Sequence, residues 1–175
     1  INNGNLTFTD RAAAYGLNEP GHTTQTYFLD FDKDGDMDAF FINHSMDFNN
    51  NMVVNAKIEN GKMVMIDDTA RQYVSCRLYE NRNGRFTDIS QKAGISTNSF
   101  ALSASITDIN NDGWPDIYVA NDFKKPDYLF INNKNGTFSD KLTDYFKHIS
   151  QASMGSDIAD INNDGLEDVF VLDMA

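Results

Sequence analysis

Three times along the chain, a phenylalanine followed by a hydroxyl residue and an aspartate precedes the first aspartate of an acidic loop by the same 22 residues. Phe8-Thr9-Asp10 leads to Asp30, Phe86-Thr87-Asp88 to Asp108, and Phe138-Ser139-Asp140 to Asp160. A recurring interval constrains the fold more than any local pattern, because each copy is one supersecondary unit that buries its apolar face against its neighbours. The copies lie 78 and then 52 residues apart, so the first interval holds 26 extra residues, between His44 and Tyr73. There Met52-Val53-Val54 and Met63-Val64-Met65-Ile66 flank a polar segment ending in Asn60-Gly61, a dipeptide suited to the positive φ angles of a tight turn. An inserted hairpin is therefore expected over residues 44–75. It interrupts repeat units at approximately 1–43, 76–132 and 133–175 of a single domain spanning 1–175.

Within the 52-residue unit the apolar runs are short, and glycine, asparagine and aspartate divide them. Ala104 to Ile109, Ile117 to Ala120, Tyr128 to Ile131 and Thr137 to Ser139 are predicted to be four strands, and Lys141 to Ser153 carries the chain to the next unit. Four antiparallel strands per repeat predict an all-β protein built of β-propeller blades. Ile1-Asn2-Asn3 aligns with Ile131-Asn132-Asn133, and Val169 to Ala175 with Ile117 to Phe123. Such a chain enters and leaves within blades and holds about three repeats, so a partial propeller from a longer protein is expected.

The acidic loops are Asp30-Phe31-Asp32-Lys33-Asp34-Gly35-Asp36-Met37-Asp38, Asp108-Ile109-Asn110-Asn111-Asp112-Gly113-Trp114-Pro115-Asp116 and Asp160-Ile161-Asn162-Asn163-Asp164-Gly165-Leu166-Glu167-Asp168. Oxygen-bearing side chains occupy positions 1, 3, 5 and 9, and glycine position 6. Calcium takes six to eight oxygens, and alternate residues of a curled loop point theirs inward. At position 7, Asp36, Trp114 and Leu166 share only a backbone carbonyl as a ligand. About three calcium ions are expected, one per loop. An EF-hand is excluded because position 12 is Phe41, Val119 or Val171 where it needs glutamate, and because the residues after each loop read as strand. Zinc prefers nitrogen and sulfur, and magnesium avoids cages made wholly of protein groups. The competing reading, aspartate-rich turns that bind nothing, does not account for a carboxylate at position 9 every time.

Composition narrows the partners. The 14 basic against 26 acidic residues give a formal charge of −12, which repels nucleic acid and anionic membrane surfaces. No apolar run is long enough to span a membrane, and the opening Ile1-Asn2-Asn3-Gly4 lacks the basic start and apolar stretch of a signal peptide. Cys76, the single cysteine, reads as a small buried apolar side chain in the strand around Val74 to Leu78, with a reactive thiol as the alternative.

The elements Asn81-Arg82-Asn83-Gly84-Arg85-Phe86-Thr87-Asp88-Ile89-Ser90 and Ala159-Asp160-Ile161-Asn162-Asn163-Asp164-Gly165 resemble the FG-GAP/VCBS repeats of integrin-α-like β-propellers. Among these they are most similar to large Bacteroidetes surface proteins related to cartilage acidic protein and UnbV. The resemblance covers the chain apart from the insertion. It implies a propeller of about seven blades, exported from the cytoplasm and anchored as an outer-membrane lipoprotein or part of a surface assembly. Two departures are modest: Leu6 stands where Gly136 marks the turn, and Asp32 where the other loops have asparagine.

On these readings the chain is a scaffold or a module that binds protein or glycan at the cell surface, and not an enzyme. A polysaccharide lyase or related carbohydrate-active enzyme is the alternative. Its residues would have to come from His22, His44 and His148, which stand in unrelated contexts, with His44 the best candidate. Trp114 and Tyr118 suit either a sugar platform or core packing. Met46, Met52, Met63 and Met65 of the insertion suit either a partner surface or packing onto the blade.

Overall fold

The computed structural model describes residues 1–44, 56–59, 62–65, 74–95, 97, 99–122 and 125–174. β1 (Thr23–Leu29) and β2 (Asp38–Asn43) open the first sheet, and a hairpin of β3 (Ala56–Glu59) and β4 (Lys62–Met65) intervenes. β5 (Arg77–Arg82) and β6 (Arg85–Asp88) then complete a four-stranded antiparallel sheet in the order β1-β2-β5-β6. The second sheet repeats the plan with β7 (Ala101–Thr107), β8 (Asp116–Asn121), β9 (Tyr128–Asn132) and β10 (Phe138–Asp140) in consecutive order. A third holds β11 (Ser153–Ala159) paired with β12 (Asp168–Asp173). Among the described residues the protein is thus all-β apart from three single-turn helices, α1 (Ala12–Tyr15), α2 (Ser90–Ala93) and α3 (Leu142–Tyr145).

Each recurring Phe-(Thr/Ser)-Asp element has a local use. Asp10, Asp88 and Asp140 each accept, through Oδ1, the N–H two residues on, at 2.9, 2.9 and 3.1 Å, which turns the chain into the short helix that follows. The first helical connection ends in Gly16 and the second in Gly94. Gly94 has φ +77°, and a Cβ there would lie 2.9 Å from the Phe138 carbonyl oxygen of the next sheet, so only glycine fits. The first nine residues reproduce a β9-β10 turn bond for bond. Asn3 N–H reaches the Thr7 carbonyl at 3.0 Å as Asn133 reaches Thr137 at 2.9 Å, and each asparagine also donates to the two hydroxyls nearby. Leu6 takes the left-handed φ of +64° that Gly136 takes at +80°, and it is almost fully exposed.

The sheets stack through strands buried on both faces. Along β8, Ile117 and Val119 join Phe40, Ile42, Leu78 and Phe130 in the core between the first two sheets. The alternate residues Tyr118 and Ala120 join Leu129, Val169 and Val171 between the second and third. Each fully buried side chain of this size contributes roughly 1.5–3 kcal/mol, so these layers hold the sheets together. On β12 the corresponding outward pair, Phe170 and Leu172, is 62% and 57% exposed.

The strands of the second sheet fall where the sequence predicts them, with shifted ends. β7 starts at Ala101 and stops at Thr107, not at 104 and 109, because Ile109 already belongs to the loop and gives its N–H to Asp116 Oδ2. The early residues of β7 carry little β-branched signal because small side chains are required there. Ser103 and Ser105 lie 3.4 and 3.2 Å from the Ser156 hydroxyl on β11, and Thr24 of β1 reaches the Ala101 carbonyl, so first strands of adjacent sheets approach closely. Cys76 sits just before β5, fully buried, and burial pushes its thiol up to about 11, as a packed side chain and not a reactive one requires.

Candidate metal centre

All three acidic loops share one backbone path between the first and second strands of their sheets. Position 4 is left-handed in each, at Lys33, Asn111 and Asn163 with φ of 60, 54 and 61°, and so is the glycine at position 6. The position 4 conformation escapes sequence reading at Lys33, although asparagine in the other two loops is the residue that best tolerates it. The loops are then held by their own carboxylates. Position 1 Oδ2 accepts the position 6 N–H at 3.1, 2.6 and 2.8 Å, and position 5 Oδ1 accepts the position 7 N–H at 2.9, 3.0 and 2.9 Å.

The carboxylate at position 9 is a strut as well as a candidate ligand. Asp38 and Asp116 are each 1% exposed. Their Oδ2 atoms accept the position 2 N–H, from Phe31 and Ile109, at 3.1 Å in both loops. Their Oδ1 atoms accept N–H groups of the third strand, Asn81 at 2.7 Å and Asn132 at 2.8 Å. Asp168 repeats the first bond, to Ile161 at 3.2 Å. One side chain therefore ties loop, second strand and third strand together, which explains the recurrence of aspartate at this position in physical terms.

The first loop is the most suited to a cation. Ligand oxygens of Asp30, Asp32 and Asp38 lie within 4.8 Å of one another, and Asp30 Oδ1 is buried with no hydrogen-bond partner. A buried, orphaned carboxylate oxygen facing two further carboxylates is costly unless something positive meets it, so the donor set fits a hard cation. Asp34 contributes an exposed carboxylate at position 5. The Asp36 side chain turns away, its Oδ2 accepting the Asn83 N–H at 3.1 Å in the β5-β6 turn, which leaves its carbonyl for position 7 chemistry. In the second and third loops Oδ1 of Asp108 and Asp160 is already engaged by the N–H of Asp112 and Asp164, at 2.9 and 3.0 Å. Asn110 and Asn162 each accept the same N–H groups, at 3.0 and 2.8 Å. Asp112 also meets Lys134 Nζ at 3.2 Å, whereas Trp114 and Leu166 offer only main-chain groups to their loops.

Burial pushes the carboxyls of Asp38 and Asp116 up to about 6, against the opposing pull of their backbone hydrogen bonds, and burial with repulsion from Asp34 raises Asp32 as well. In the metal-free protein Asp38 and Asp116 therefore favour the folded state most below the ordinary carboxyl value of 3.8, and this contribution is lost as pH rises through about 6. A cation requires the ionised form. Stabilisation by added calcium is accordingly expected to be larger at pH 7.5 than at pH 5, read as the difference in melting temperature with and without calcium. An equal difference at both values would show that these carboxylates and the ion do not meet.

The loops touch one another across the sheets. Asn132 Nδ2, from the second sheet, donates to the buried Phe31 carbonyl of the first loop at 2.8 Å. Lys33 Nζ stands 5.1 Å from the Trp114 ring centre, and Asn111 Nδ2 reaches the Gly165 carbonyl at 3.3 Å. None of these contacts is readable from a single repeat.

Other candidates are placed as follows. The His44 N–H donates to the His22 carbonyl at 2.9 Å, so the β1-β2 register makes these two residues neighbours along the backbone. The His44 ring packs edge-on to Phe100 at 5.5 Å, while His148 lies exposed after α3. Tyr118 is a core residue whose hydroxyl donates to the buried Asp127 at 2.5 Å, and one face of Trp114 is occupied by Lys33. In the insertion, Met63 and Met65 lie on β4, while Met46 and Met52 fall outside the described residues.

Comparison with known proteins agrees with this repeat architecture. The family profile described as FG-GAP-like repeat matches residues 64–119 and 108–171. Integrin alpha-3 of Mus musculus is 31% identical over 83 residues, which cover 41% of this chain and 8% of that protein.

Proposed function

The chain belongs to the FG-GAP-like repeat family, and from that premise we propose that it is part of a calcium-stabilised, extracytoplasmic β-propeller. It serves as a rigid, non-enzymatic scaffold that presents protein- or glycan-binding loops. The observation that carries this reading is the convergence of Asp30, Asp32 and Asp38 around a buried carboxylate oxygen with no partner. Asp30, Asp32, Asp34 and Asp38 would hold the ion in the first loop; Asp108, Asn110, Asp112 and Asp116 in the second; Asp160, Asn162, Asp164 and Asp168 in the third. The carbonyls of Asp36, Trp114 and Leu166 complete each set. The ion would supply charge neutralisation and no bond-making chemistry.

Propeller closure is part of the same proposal. A ring needs 4 to 8 blades, and Phe170 and Leu172 are the positions on which a further blade would pack, as the third sheet packs on Tyr118 and Ala120. Among the described residues no helix is long and apolar enough to cross a membrane. Calorimetric titration of the chelator-treated protein with calcium chloride is expected to give about three sites, the first loop tightest because it carries four ligand carboxylates. Fewer than two sites, or an Asp32→Asn protein with unchanged tightest affinity, would overturn it.

A further inference from the structure

The turn after the third strand of a sheet lies beside that sheet's own acidic loop, and the two complete sheets use it differently. In the first, the turn residue Asn83 gives its backbone N–H to Asp36, and the turn's cation, Arg82, is held by Glu80 at 2.8 Å. Among the described residues no ion pair reaches Asp30, Asp32 or Asp34. In the second, the residue at the place of Asn83 is Lys134, with φ +61° and its N–H on Asn132 Oδ1 at 2.9 Å. Its ammonium meets Asp112 Oδ2 at 3.2 Å, while the Asp112 Oδ1 atom takes the Trp114 N–H at 3.0 Å. Both oxygens of the position 5 carboxylate are thus committed within the protein.

We infer that Lys134 sets the calcium affinity of the second loop, its ammonium serving as an internal counter-ion to Asp112 that an incoming calcium ion must displace or tolerate. The inference rests on the calcium reading above and adds to it a residue outside the Asp-Gly loop. The physical basis is that an ammonium and a divalent cation placed at one carboxylate repel each other, and that the carboxylate freed for calcium must first give up its existing partner. The second loop is consequently the weakest of the three, and it is also the one least disturbed when calcium is withdrawn.

Trp114 is the single tryptophan of the chain and occupies position 7 of this loop, with Lys33 of the first loop over its ring. Its emission therefore follows the second site directly and the first through Lys33, and the second-site transition is the one that moves with residue 134. Titration of the whole chain with calcium chloride, followed by Trp114 fluorescence, is expected to show Lys134→Gln reaching half-saturation at five- to tenfold lower calcium, equivalent to about 1 to 1.4 kcal/mol. Lys134→Arg, which keeps the charge, should stay near the parent value. Lys141→Gln, which removes an equal charge paired with Asp144 at 2.8 Å, should leave this site unchanged. Parallel calorimetry separates the two readings. If the parent binds calcium but Lys134→Gln does not shift the Trp114 transition, the role of Lys134 is wrong and the calcium reading stands. If neither protein binds calcium in calorimetry, both fall.

Discussion

Asp38→Ala and Asp116→Ala are each expected to lower stability by about 3–5 kcal/mol even with chelator present. Each carboxylate is buried and accepts two backbone N–H groups, from Phe31 and Asn81 in one sheet and from Ile109 and Asn132 in the other. Truncation leaves one buried donor, Phe31 or Asn132, and one half-buried donor, Asn81 or Ile109, without this partner, at about 1–3 kcal/mol apiece, and opens a small void. Asp34→Ala makes the contrast. Asp34 is exposed, and its side chain accepts only the Asp36 N–H among the described hydrogen bonds. Its loss should therefore be small in chelator and should appear mainly as lost calcium stabilisation. Urea unfolding of the three variants, with calcium and with chelator, separates the roles. An Asp38→Ala protein that matches the parent in chelator would show that position 9 acts as a ligand and not as a strut.

Withdrawing calcium is expected to lower the melting temperature by about 10 °C. At free calcium tenfold above the dissociation constant, linkage supplies about 1.4 kcal/mol per site. Three independent sites then contribute about 4 kcal/mol, against the roughly 5–15 kcal/mol that holds a domain together. For a chain of this length each kcal/mol moves the midpoint by about 2–4 °C. The mechanism is local: each loop runs directly into a second strand, and the oxygen-bearing side chains at positions 1, 3 and 5, all carboxylates in the first loop and two carboxylates with an asparagine in the others, are gathered on one short curve. An unchanged midpoint, despite calcium binding in calorimetry, would move the ion from a structural to a functional role.

Much of this protein follows from local rules, and those parts are legible in the chain. The repeat interval, the alternating apolar residues of β8 and the glycine at position 6 depend on φ and ψ preferences and near neighbours, so the sequence alone specifies an all-β repeat with three acidic loops. The insertion is legible only in part: Asn60-Gly61 lies between β3 and β4, but β3 runs over Ala56–Glu59, within the segment that reads as a polar connection, while Met52 to Val54 falls outside the described residues. Strand limits are less legible, since Ile109 looks like a strand residue until its N–H is seen on Asp116.

What tertiary structure alone decided is the set of partners that come from far along the chain. Asn81 closes on Asp38 across 43 residues, and Asn132 reaches Phe31 across 101. Lys134 becomes a counter-ion to Asp112 only because the β9-β10 turn folds back over its own loop, and the small residues of β7 make sense only beside β11. These choices depend on which strand lies third in a sheet and which sheet lies next. A spacing rule carries no information about that, because burial and electrostatic pairing are properties of positions in space.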